Sequence, residues 1–205
     1  MRLFILGATG GIGTQLVDLA LARGHHVTAF VRSPQKMQIK DNRLKVVVDN
    51  PLDERLLNQV LVGSDAILSA LGHTDLKESY FVTEAAQSLI KAMNTSKVRR
   101  LVIISSTLVV PGGSFLTKIP RYLTRHALND SKKMEEVVRT TNLAWTIIRL
   151  VRLTNGVESA YRIFENEPPS VSASISRKTT AACMLNLVAD QSYEQKTIGI
   201  VSSRQ

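Results

Sequence analysis

Cysteine is almost missing from this chain: Cys183 is the single one in 205 residues. One thiol builds neither a disulfide framework nor a cysteine-based metal site, and the expected setting is a reducing cytoplasm. Aromatic residues make up only 5% against 44% apolar residues overall, so aliphatic side chains must fill the core. Nowhere does an apolar run reach the roughly 18 residues of a membrane-spanning helix. The apolar stretch after Arg2 is short and ends in glycines. It reads as a buried first strand rather than a signal peptide. Acidic residues are outnumbered, 17 against 26 Lys and Arg, for a net charge of +9. The basic residues are scattered over Lys97–Arg100, Lys118–Arg125 and Lys132-Lys133 without interleaved aromatics. That distribution suits an anionic small molecule better than a nucleic acid.

Strand-like apolar runs alternate with amphipathic ones. Strands are expected at Arg2 to Gly7, His26 to Arg32, Leu44 to Val48, Asp65 to Leu71, Arg100 to Ser105, Ala144 to Leu150 and Thr197 to Val201. Helices are expected at Gly11 to Gly24, Asp53 to Leu61, Glu78 to Met93, Asn129 to Thr140 and from Ser176 through Val188. Apolar residues at Ile12, Leu16, Leu19 and Ala20 have helical spacing, and Gly24 is placed to end that helix. This alternation predicts one α/β domain over residues 1–205, a doubly wound parallel sheet of Rossmann type. Two aperiodic segments, about 107–128 and 151–174, follow strand carboxyl ends, the edge where open α/β sheets bind ligands. No linker or internal repeat divides the chain.

Gly7-Ala8-Thr9-Gly10-Gly11-Ile12-Gly13 follows the first strand and opens the first helix. In that context the glycines serve a tight turn, close approach of backbone to a pyrophosphate, and close helix–strand packing. The helix N–H groups then face the phosphates. An NAD-type site would carry an acid at the end of the second strand for the ribose 2′-hydroxyl. Here Arg32, Ser33 and Lys36 stand there instead. A guanidinium suits a 2′-phosphate, so NADP(H) is the expected cofactor.

These residues identify a resemblance. The chain resembles the atypical, short NAD(P)-binding members of the short-chain dehydrogenase superfamily. Within them it is similar to biliverdin-IXβ reductase, also called flavin reductase, and to bacterial NAD(P)H-binding, NmrA-like proteins. The matching segments are GATGGIG at 7–13, FVRSPQKM at 30–37, SALGHTD at 69–75, LVIISST at 101–107, WTIIRLVRLTNG at 145–156 and ISRKTTA at 175–181. The resemblance implies cofactor contacts from Thr9 and Ile12 on the loop and from Arg32 and Lys36 at the 2′-phosphate. It puts Asn50 where the family usually has an aspartate near the adenine. Leu71, Gly72 and His73 would lie beside the ribose, Ser105 and Ser106 beneath the nicotinamide, and Leu150, Val151 and onward to Leu153 on its other side.

The tyrosine–lysine pair of most short-chain dehydrogenases is absent. Four residues after Tyr80, Tyr122, Tyr161 and Tyr193 stand Glu84, His126, Glu165 and Thr197. The resemblance therefore implies a reductase that passes hydride to a conjugated acceptor, such as FMN, FAD or a biliverdin-like tetrapyrrole, with solvent supplying the proton. Ser106 matches the family's active-site serine, and Arg152 falls near its active-site histidine. Read without the resemblance, Ser106 is equally a strand-end hydroxyl bonded to backbone. Phe115, Lys118, Arg121, Tyr122 and Arg125 would form a basic, aromatic lid, or merely a solvated loop. The alternative to a reductase is a sensor, regulatory or assembly protein that binds NADP(H) without turnover. His25-His26 open a strand away from the ligand edge and His126 has no acidic partner at a fixed spacing, so no metal site is expected. Glu135-Glu136 read as a polar helix face, Trp145 as core, and no Ser-His-Asp arrangement is visible. A monomer or weak dimer is expected.

Overall fold

A computed structural model describes residues 1–73, 80–110, 124–165, 169–170 and 173–203. Among the described residues the strands are β1 (Arg2–Leu6), β2 (His26–Val31), β3 (Leu44–Val48), β4 (Ala66–Ser69), β5 (Arg100–Ser106), β6 (Ala144–Leu150), β7 (Arg152–Thr154), β8 (Tyr161–Phe164), β9 (Ser174–Ser176) and β10 (Lys196–Ser202). The helices are α1 (Gly11–Ala22), α2 (Glu54–Val60), α3 (Phe81–Ser96), α4 (Arg125–Arg139) and α5 (Arg177–Ala189). Eight strands form one sheet in the order β3-β2-β1-β4-β5-β6-β10-β8, and β7 pairs with β9 in a small second sheet. All pairings in the large sheet are parallel except that of β8 with β10. This is the expected doubly wound α/β fold.

Strand β1 shows why the sheet lies between two helical layers. Its side chains alternate: Leu3 and Ile5 join a core formed with Leu16 and Val17 of α1 and with Ala181 and Met184 of α5. Phe4 and Leu6 join the opposite core, with Leu57 of α2, Leu89 and Met93 of α3, and Met134 and Val138 of α4. Each fully buried Leu, Ile, Val, Phe or Met side chain among these contributes about 1.5–3 kcal/mol relative to exposure. Helix ends are fixed locally. Asp53 accepts from the Leu56 N–H at 3.0 Å, and Ser176 Oγ accepts from the Thr179 N–H at 3.0 Å. Both serve first-turn N–H groups that have no partner within the helix. Arg100, 7% exposed, donates to the Leu187 and Val188 carbonyls at the end of α5. Burial holds its guanidinium below the usual arginine range.

Two expectations shift. Helix α4 begins at Arg125 rather than Asn129. The segment 151–174, aperiodic in sequence, holds β7, β8 and the start of β9. Those strands have three or four residues each, too few for alternation to register. The expected helix start at Glu78 and the lid residues Phe115, Lys118, Arg121 and Tyr122 lie outside the described residues. No described helix is long and apolar enough to cross a membrane.

Candidate functional site

The sheet's strand order reverses beside β1, whose neighbours are β2 on one side and β4 on the other. A crevice opens at such a switch point, at the carboxyl ends of the strands. Gly7 leaves β1 at φ +77°, and a Cβ there would lie 2.8 Å from the Ala70 carbonyl oxygen. The Gly10 N–H closes the turn on the Gly7 carbonyl at 3.0 Å. At Gly13 a Cβ would sit 2.1 Å from the same carbonyl oxygen, so α1 packs against the turn at a distance only glycine permits. The first turn of α1 carries no acidic residue, and its N-cap, Gly10, offers no side-chain acceptor. Its N–H groups therefore remain for an anion. Ile12 is buried in the core, and Gly11 faces the Arg177 side chain, which Asn155 Oδ1 holds at 2.6 Å. A backbone cradle with no room for Cβ atoms fits a dinucleotide pyrophosphate.

One cleft lies on this turn, and a second adjoins the first. The first is floored by Gly7, Thr9 and Gly10 and walled by Arg32, Ser33 and Lys36. Pro51 and Ala70 complete it, while Asn50 lies next to it with Oδ1 accepting from the Leu52 N–H at 3.2 Å. No carboxylate lines this cleft among the described residues. Arg32 is exposed, and its guanidinium stands 5.0 Å from the centre of the Phe81 ring. Leu71 and Gly72 line both clefts and join them. The second cleft has apolar walls from Val82, Ile104, Leu150, Val151 and Leu153, and polar groups from His73, Ser105, Ser106 and Ser131.

Behind these polar groups are side chains from α4. Ser105 Oγ donates to Glu135 Oε1 at 2.6 Å. Glu135 is fully buried and takes both Arg149 (3.0 and 2.7 Å) and Arg139 (2.6 Å). Reading Glu135 as part of a solvated helix face is therefore corrected: it lies on the inward stripe with Asp130, Ser131, Met134 and Val138. Asp130, also fully buried, accepts from the Val82 and Thr83 N–H groups at 3.0 and 2.9 Å and so caps α3 from outside. Its Oδ2 lies 3.7 Å from His73 Nδ1, and His73 Nε2 is 3.1 Å from Ser131 Oγ. The structure thus brings a serine, a histidine and an aspartate together where the sequence showed none. The signal was available in the spacing of Asp130, Ser131, Met134, Glu135 and Val138, one helical face that mixes apolar and polar residues.

Ser106 lines the second cleft, with Oγ accepting from the Leu108 N–H at 3.2 Å. Arg152 is exposed on β7 and lies outside both clefts, because its neighbours Val151 and Leu153 take the inward positions. Arg125 opens α4. Among the described residues no group of three His, Cys, Asp or Glu is placed to hold a metal ion.

Residues 7–191 match the protein family described as NAD(P)H-binding. The chain belongs to that family. Among similar proteins, a photosystem II assembly factor of Synechocystis is 26% identical, over 100% of this chain and 63% of its own length. The chain thus spans under two thirds of that relative. An uncharacterized chloroplastic protein of Arabidopsis thaliana is 26% identical over 98% of this chain and 76% of its own. An oxidoreductase of Lactococcus lactis superimposes with a TM-score of 0.85 at 21% identity, over 100% of this chain and 92% of that one. A short-chain dehydrogenase/reductase of Veillonella parvula, crystallised with NADP, gives 0.84 at 20% identity, over 98% and 94%. At such identities the two superpositions speak for the fold.

Proposed function

We propose that this NAD(P)H-binding protein is an NADPH-dependent reductase, with adenosine in the first cleft and nicotinamide in the second. The observation that carries the reading is the wall at the end of β2. Arg32, Ser33 and Lys36 line it and no described carboxylate does, which suits a 2′-phosphate and opposes none. The NADP complex of the Veillonella relative supports the same preference. When bound, the reduced nicotinamide supplies hydride. The chain's residues bind, orient and exclude water: Leu71 and Gly72 join the clefts, Ser106 faces the acceptor, and the apolar walls admit a conjugated molecule. FMN, FAD and biliverdin are the first acceptors to try, on the resemblance alone. The buried Cys183 suits a reducing compartment such as the cytoplasm.

Titration of NADPH and NADH against wild type and Arg32→Asp tests the cofactor assignment. The variant should bind NADPH about 10- to 100-fold more weakly, the worth of a charge-assisted contact, with NADH little changed. Equal losses for both would remove Arg32 from the 2′-phosphate. Steady NADPH oxidation with an acceptor tests turnover. The assembly-factor relative supports a second reading, a protein that binds NADP(H) and acts through a partner. Tight NADPH binding with no oxidation under any acceptor would favour it.

A further inference from the structure

Resting on the reductase reading, we propose that the second cleft takes an apolar conjugated carbonyl compound, with Ser131 as the proton donor to its oxygen and His73 recharging Ser131. Ser131 is 7% exposed, lines the cleft, and lies 3.1 Å from His73 Nε2. The carboxylate beside Nδ1 cannot turn away, because Val82 and Thr83 hold both its oxygens. Asp130 thus keeps the imidazole ring in place, with Nδ1 toward the carboxylate. With a proton on each ring nitrogen, Nε2–H donates to Ser131 Oγ, and the serine's own proton is left to point into the cleft. The walls around it are Val82, Ile104, Leu150, Val151 and Leu153. An oxygen gaining charge among such residues has little water to draw on, and a positioned donor is then worth most.

Hydride from the reduced nicotinamide reaches the carbonyl carbon or the conjugated carbon beyond it. The C=O π pair moves onto oxygen, which takes the Ser131 Oγ proton. Ser131 takes the His73 Nε2 proton, His73 becomes neutral, and solvent returns one proton. Carbonyl, NADPH and H⁺ give the reduced compound and NADP⁺. Ser131 touches the reacting oxygen; His73 and Asp130 are positioning residues.

The test uses cinnamaldehyde labelled at its carbonyl carbon, bound to the NADP⁺ form, where no turnover occurs. A hydrogen bond from Ser131 lowers the carbonyl stretch in wild type, and Ser131→Ala raises it back. His73→Gln keeps the shift, since its amide N–H still donates to Ser131. With NADPH, both variants lower kcat for cinnamaldehyde by about 100-fold, the usual worth of a positioned acid, with the His73→Gln KM unchanged. Near-native melting temperatures show that both variants fold. An unshifted carbonyl in wild type, or equal kcat in wild type and Ser131→Ala, overturns the proposal. Turnover of FMN or biliverdin alone overturns it while leaving the reductase reading intact. No turnover with any acceptor overturns both.

Discussion

The two halves of the crevice are made of different material. On the adenosine side the cradle is backbone: a turn at Gly7, an N–H bond from Gly10, and a helix start that reaches the Gly7 carbonyl through Gly13. Across Gly72 the polar lining is backed by side chains from α4, Asp130 and Ser131 behind His73 and Glu135 behind Ser105. A backbone cradle binds what every dinucleotide shares, its phosphates. Side-chain constellations depend on which residues happen to meet, so chemistry and specificity can vary there while the cradle stays.

Substitutions can break either half, and they should fail in different ways. Gly13→Ala carries the largest expected effect, because its Cβ would overlap backbone that cannot move aside. We expect a loss of about 3 kcal/mol or more, with NADPH binding abolished in any folded fraction, read by thermal melting and titration. Glu135→Ala strips two arginines of their buried partner. It should cost about 3 kcal/mol in urea unfolding, with NADPH affinity falling much less than stability. Equal losses of affinity in the two variants would erase the contrast between the halves. Asp130→Ala leaves the Val82 and Thr83 N–H groups unpaired in the interior, for about 1–3 kcal/mol, and frees His73 from its carboxylate.

A smaller effect concerns pH. Burial pushes the Cys183 thiol from 9.0 up to about 12. The unfolded chain therefore releases this proton first as pH rises. The stability linked to the neutral thiol is complete below about pH 9 and is lost as pH climbs toward about 12. Cys183→Ala should flatten the unfolding free energy across that window. A slope unchanged by the substitution would remove Cys183 as its source.

The contrast also explains what was legible. Gly7, Gly10 and Gly13 sit within seven residues, so their joint role follows from local spacing. Arg32, Ser33 and Lys36 follow from one strand end. His73 meets Asp130 and Ser131 across more than fifty residues, and Glu135 meets Arg149 only because β5 and β6 pair Ser105 with Arg149. Contacts of that kind exist only after the chain has folded. The three-residue strands β7 and β9 were hidden for a different reason, since each is ordered by the other rather than by its own pattern.

Trp145 is the only tryptophan, 6% exposed in β6 beside Leu101, and its indole N–H has no acceptor among the described residues. Such an indole emits as if dissolved in hydrocarbon, at the blue end of its range, and moves to the red when water reaches it. The molecule therefore carries its own optical gauge. Reduced nicotinamide absorbs where a buried indole emits, so the same signal that follows unfolding would dim as the crevice fills.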